Sequence, residues 1–186
     1  MERFAKGCPV RNVLIGLVAC VLIVGVPVAH ATEDSLAGGH LIYLHGWIVQ
    51  DQQNPRPEHP QFGYYELEEI LAVFGSRGFT VSGEIRPKSA SISESADRVV
   101  SQVGELLESG VPADRVLVVG ASMGGTIAMV ASERLGNPEV RYAVLGICFS
   151  RVSSSIREQE GAGPTGHILS IREASDRVTS NCQPMD

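Results

Sequence analysis

Short apolar runs alternate along the chain with segments whose apolar positions recur at helical spacing, and this alternation constrains the fold more than any other feature. Residues 40–44 (HLIYL), 79–85, 115–119 (RVLVV) and 141–148 are such runs, and residues 168–171 begin a last one. Their apolar residues are consecutive rather than alternating, the pattern of strands buried on both faces. Between them, Leu67, Ile70, Leu71 and Phe74 trace a helix with Gly78 beyond its end. Ser91 and Glu94 have capping-box spacing, and Ala96, Val99, Val100, Val103, Leu106 and Leu107 follow on one helix face that ends at Gly110. Residues 123–135 form a helix stopped by Gly136-Asn137-Pro138. Residues 50–63 are polar, hold Pro55, Pro57 and Pro60, and read as a surface loop. The predicted order is β-α-β-α-β-α-β-loop-β, an α/β fold whose mostly parallel sheet is flanked by helices.

The first 31 residues stand apart from this domain, which then covers residues 32–186. Arg3, Lys6 and Arg11 precede an uncharged apolar run over residues 13–26, and Ala29-His30-Ala31 has the small-x-small form of a cleavage site before Thr32. Together these read as a secretory signal peptide and imply export to the periplasm or beyond. Two alternatives stay open. An uncleaved membrane anchor would need roughly 20 apolar residues, more than the run closed by Pro27 offers. A lipoprotein box at Leu17-Val18-Ala19-Cys20 would be followed by polar sequence, and here the apolar run continues.

Removing residues 1–31 takes away three of the 15 basic and one of the 21 acidic residues, which leaves 12 against 20 and a net charge of −8. A nucleic-acid partner is disfavoured, because phosphate binding needs a basic patch. No stable membrane span is expected after cleavage. Cys148 and Cys182 remain as an even pair, and an oxidising compartment allows them to form a disulfide or to stay as two thiols. No His/Asp/Glu/Cys set has metal-ligand spacing, and Gly120 to Gly125 has neither a Walker lysine nor G-x-G-x-x-G spacing, so no metal or cofactor is expected.

Gly120-Ala121-Ser122-Met123-Gly124 fits G-x-S-x-G and lies between an apolar strand and a helix. That is the setting of a nucleophile elbow, where a sharp turn lifts the serine Oγ above the sheet. The helix N-terminus that follows favours negative charge developing nearby.

Over about residues 40–180 the chain resembles the α/β-hydrolase family, specifically its small esterase-like members. LIYLHGW is similar to the strand with the oxyanion turn, VVGASMGG to the elbow, and ILSIREASD to the acid-bearing strand. The resemblance implies a three-layer α/β-hydrolase-like sandwich and a small-molecule ester as substrate. It makes Ser122 the nucleophile and the backbone N–H groups of Trp47 and Met123 the oxyanion hole. Asp176 would be the acid that orients a histidine, with Glu173 as the alternative.

The family's histidine follows its acid, but no histidine follows Asp176 here. His40 and His167 open parallel strands and so belong at the end of the sheet opposite Ser122. His45 is at the correct end, where it braces the oxyanion turn or serves as base; His59, in the proline-rich loop, could swing in. The chain therefore reads as a member cut short, lacking a last strand, the histidine loop and a closing helix. Three expectations follow from that reading. Catalysis is impaired, the strand at Ile168 is an uncovered edge, and apolar surface near Val144 and Ile168 invites self-association. The polar stretch 152–166 is too short for a lid domain, which leaves the site open. The rival reading is a secreted, non-catalytic binding or vestigial protein of the same fold.

Overall fold

The computed structural model describes residues 38–147 and 163–173. The expected signal segment, Cys20, Cys148, Cys182, Asp176 and most of the expected lid stretch lie outside the described residues. Among the described residues no helix is long and apolar enough to cross a membrane.

The elements follow in the order β1 (His40–Leu44), α1 (Trp47–Gln52), β2 (Glu58–His59), β3 (Gly63–Tyr64), α2 (Leu67–Ser76), β4 (Thr80–Ser82), α3 (Ile92–Glu108), β5 (Val116–Ala121), α4 (Met123–Leu135), β6 (Arg141–Leu145) and β7 (His167–Ile171). The main sheet has the order β4-β1-β5-β6-β7, and every pairing in it is parallel. The α/β class and the parallel sheet flanked by helices are as the sequence implied.

Consecutive strand residues serve opposite faces of the sheet, because side chains alternate across a strand. Ile42, Leu44, Val116, Val118, Tyr142 and Val144 point to one side and pack with Ala96, Val99 and Val103 of α3 and Ile127, Ala128 and Met129 of α4. Leu41, Tyr43, Leu117, Val119, Ala143 and Leu145 belong to the other side, with Ile70, Leu71 and Phe74 of α2. This is why the runs are apolar at every position.

Local signals fix the helix ends. Ser91 and Glu94 form the capping box, with Glu94 N–H donating to Ser91 Oγ at 3.1 Å and Ser91 N–H donating to Glu94 Oε2 at 2.9 Å. Helix α2 closes in a Schellman motif, in which Gly78 at φ +90° donates to Gly75 O and Phe79 N–H donates to Phe74 O.

Three elements differ from the sequence reading. Within the expected loop 50–63 the structure has part of helix α1 and the β2–β3 hairpin. Strand β4 is shorter than residues 79–85, because beyond Ser82 the chain leaves the sheet and turns Arg86 inward. The apolar surface expected near Val144 and Ile168 lies on one face only. Val144 is fully buried and Ile168 packs against the core, whereas Leu169 and Ile171 of β7, on the opposite face, are 59% and 44% exposed.

Candidate active site

The sheet order creates a topological switch point between β1 and β5. From β1 the chain crosses through α2 to β4 on one side, and from β5 it crosses through α4 to β6 on the other. Ligands of open α/β sheets bind where connections diverge in this way, at the carboxyl ends of the two strands. Here those ends are His45-Gly46-Trp47 and Ala121-Ser122-Met123.

Ser122 takes φ 51° and ψ −119°, a conformation a residue with a Cβ adopts only under constraint and at a cost of about 1–3 kcal/mol. The surroundings impose it. Ser122 N–H donates to Leu145 O at 2.8 Å, and Ser122 O accepts from Gly125 N–H at 2.9 Å and Thr126 N–H at 3.2 Å. A Cβ on Gly124 would overlap the Leu44 carbonyl, and one on Gly120 would stand 2.6 Å from Gly125 N. The glycines thus let α4 begin directly against the ends of β1 and β5. A serine before a helix usually caps it, yet the Ser122 side chain makes no cap bond and the residue is exposed. Its hydroxyl is left without a capping role.

Gly46 borders the serine from the β1 side: a Cβ placed there would lie 3.7 Å from Ser122 Cβ and 3.7 Å from Ala121 O. Trp47 and Met123 are the first residues of α1 and α4, so their N–H groups have no intrahelical acceptor. Met123 thus follows Ser122 directly and Trp47 follows Gly46, the residue that borders it, and the Trp47 side chain is largely exposed.

Behind the β1–α1 turn lies a buried polar network. His45 is fully buried, with Nδ1 2.9 Å from Gly46 O and Nε2 accepting from Arg86 N–H at 3.1 Å. That acceptance leaves the ring proton on Nδ1, which donates to Gly46 O. Arg86 Nη2 donates to His45 O at 2.7 Å and Arg86 Nε to Gln50 Oε1 at 3.0 Å. Gln50 Nε2 donates to Ala90 O at 2.8 Å, and Gln53 Nε2 donates to Arg86 O at 3.0 Å. Tyr65 stands at the same turn, its hydroxyl 2.7 Å from that of Tyr43, and burial raises both phenols above their ordinary range.

With both ring nitrogens engaged, His45 braces the turn and is not placed to deprotonate Ser122. Burial and the Arg86 charge together pull its pKa down to about 4, burial being the larger cause. The unfolded chain binds this proton near pH 6.5 and the folded chain only near pH 4, so the imidazole's contribution is complete above about pH 6.5 and disappears as the pH falls through 4. Acid should therefore remove about 3 kcal/mol of stability across that window. Denaturant melts at pH 7.5 and 4.5 would measure it, with His45→Asn as the reference whose carboxylates titrate alike. A slope identical in the two proteins would contradict the assignment.

The other candidates are not brought together with Ser122. His59 stacks on Phe62 at 4.7 Å between ring centroids and accepts from Gln61 N–H at 3.2 Å, both contacts within its own hairpin. His40 and His167 stand one register row apart at the amino ends of β1 and β7, His167 being in the row of Leu41, at the end of the sheet opposite Ser122. Glu173 follows β7 by two residues at the carboxyl end of the sheet and is exposed. Among the described residues no imidazole bonds the Ser122 hydroxyl, and no group of three or more His, Cys, Asp and Glu could hold a metal ion. A cavity of about 660 Å³ lies between α3 and the ends of β1 and β4, where Leu44, Glu84, Arg86 and Val99 line it; it does not include Ser122.

Sequence reasoning missed Gln50, Arg86 and Tyr65. Arg86-Pro87 reads as a strand end, and nothing in its neighbours in sequence marks the arginine as buried.

No protein-family model matches the chain, and no curated protein matches it.

Proposed function

We propose that this protein is a serine hydrolase of the esterase type, built on an α/β-hydrolase-like three-layer arrangement, with Ser122 as its nucleophile. The observation that carries the reading is Ser122 itself: exposed, uncapped, held at φ 51°, and set at the switch point of a parallel sheet against Gly46. Ser122 Oγ attacks the ester carbonyl carbon, and the backbone N–H groups of Trp47 and Met123 hold the resulting oxyanion. Collapse of the tetrahedral intermediate breaks the C–O bond and releases the alcohol with a proton. Water then attacks the acyl-enzyme, releases the acid and restores the serine. Each oxyanion donor of this kind is worth about 3–4 kcal/mol in the transition state. Asp176 or Glu173 is the proposed orienting carboxylate.

One observation favours the rival, a non-catalytic binding protein: His45 is committed to Gly46 and Arg86, and no described imidazole replaces it at Ser122. The two readings separate in a stopped-flow experiment with a short-chain p-nitrophenyl ester. A hydrolase, even with slow deacylation, releases p-nitrophenol in a burst that scales with enzyme concentration. Release no faster than with an equal concentration of a denatured sample would favour the binding reading.

A further inference from the structure

Arg86 sits four residues past the end of β4, is only 5% exposed, and pairs with no carboxylate among the described residues. Its Nη1 is buried without a hydrogen-bond partner. Burying an unpaired cation is costly, and here burial pulls the guanidinium from its ordinary value down to about 10, which still leaves it charged at neutral pH. A neutral donor would hold the loop at less cost, so the charge itself calls for an explanation.

The polar atoms of Arg86 converge on one turn. Its backbone N–H needs the lone pair of His45 Nε2, which places the ring proton on Nδ1 and directs it to Gly46 O. In a trans peptide the carbonyl and the N–H point opposite ways. Fixing Gly46 O toward the buried imidazole therefore turns the Trp47 N–H away from it. The guanidinium holds the preceding carbonyl, His45 O, and is itself held by Gln50.

We infer that Arg86 is the positioning residue of the oxyanion-binding turn, locking His45 in the tautomer that aims the Trp47 N–H at the switch point, with its uncompensated charge favouring the anion that forms there. This rests on the hydrolase reading of Ser122. The charge acts through the turn, because Arg86 Nη1 is itself closed off from solvent.

The test compares wild type with Arg86→Met and Arg86→Lys in the full chain. Melting temperature, kcat and KM for a p-nitrophenyl ester, and the imidazole ¹⁵N shifts of His45 at neutral pH are measured on each. In Arg86→Met, kcat should fall about 10²-fold, as a slightly misplaced group costs, while KM moves little. Arg86→Lys should recover part of kcat, since it keeps the charge and loses the fork. The imidazole should show one protonated Nδ1 and one bare Nε2 in the wild type and in both variants, because the backbone N–H that fixes the tautomer remains at position 86. A folded Arg86→Met with wild-type kcat, or with a raised KM alone, would overturn the inference. If Arg86→Met does not fold, the Lys variant carries the same comparison: an unchanged kcat overturns the inference, and a lowered kcat at an unchanged KM supports it. A wild-type protein that neither turns over nor labels would sink the hydrolase reading separately, and a wild-type imidazole with its proton on Nε2 would overturn the positioning role on its own.

Discussion

Replacing Gly124 with alanine is expected to cost at least about 3 kcal/mol, the upper range for forcing an added methyl into a packed site. The new Cβ would overlap the Leu44 carbonyl and stand 2.8 Å from His45 O, backbone atoms at the end of β1 and one residue past it. A flexible side chain could swing aside; these atoms cannot move without carrying β1 or lifting α4 off the sheet. Against a total stability of about 5–15 kcal/mol, such a loss should leave much of the protein unfolded or insoluble. Gly104→Ala is the matched control. It lies inside α3 with open space where its Cβ would go, so it should gain up to about 1 kcal/mol from helix propensity. Denaturant midpoints of the two variants should therefore move in opposite directions. A Gly124→Ala protein that melts with the wild type would mean that α4 does not start against the end of β1, and the elbow geometry would fall with it.

The frame of this fold was legible because its signals are local or periodic. The consecutive apolar residues of β1, β5 and β6 announced strands covered on both faces. The Ser91–Glu94 box and Gly136 marked helix ends with chemistry that acts within a few residues. The tight turn at Ser122 was legible the same way, from glycines whose necessity lies in the strand-turn-helix passage itself.

What escaped was held by partners distant in sequence. Helix α1 has six residues, too few to persist alone. It is fixed by Gln50, which is 1% exposed and reaches Ala90 O, 40 positions away. Arg86 joins His45 across 41 positions, and a charged residue beside a proline gives no local sign that it will be buried. The same limit applies to exposure along β7. A run such as HILSI reads as a strand covered on both faces, yet Leu169 and Ile171 face outward while Ile168 packs inward. Periodicity identifies a strand; the layout of the helices decides which of its faces is covered.

Ser122→Ala should abolish acyl chemistry and with it the p-nitrophenol burst, because the burst needs Oγ to be acylated. Alanine at φ 51° is no less strained than serine, and the hydroxyl makes no cap bond, so the fold should persist and melting should barely change. The most direct test treats the wild type and this variant with a fluorophosphonate, digests them, and maps the adduct by mass spectrometry. A reactive serine at the elbow predicts one adduct, on the peptide that carries Ser122, and none in Ser122→Ala. An adduct on a different serine, or equal labelling of both proteins, would contradict the assignment of Ser122 as the nucleophile.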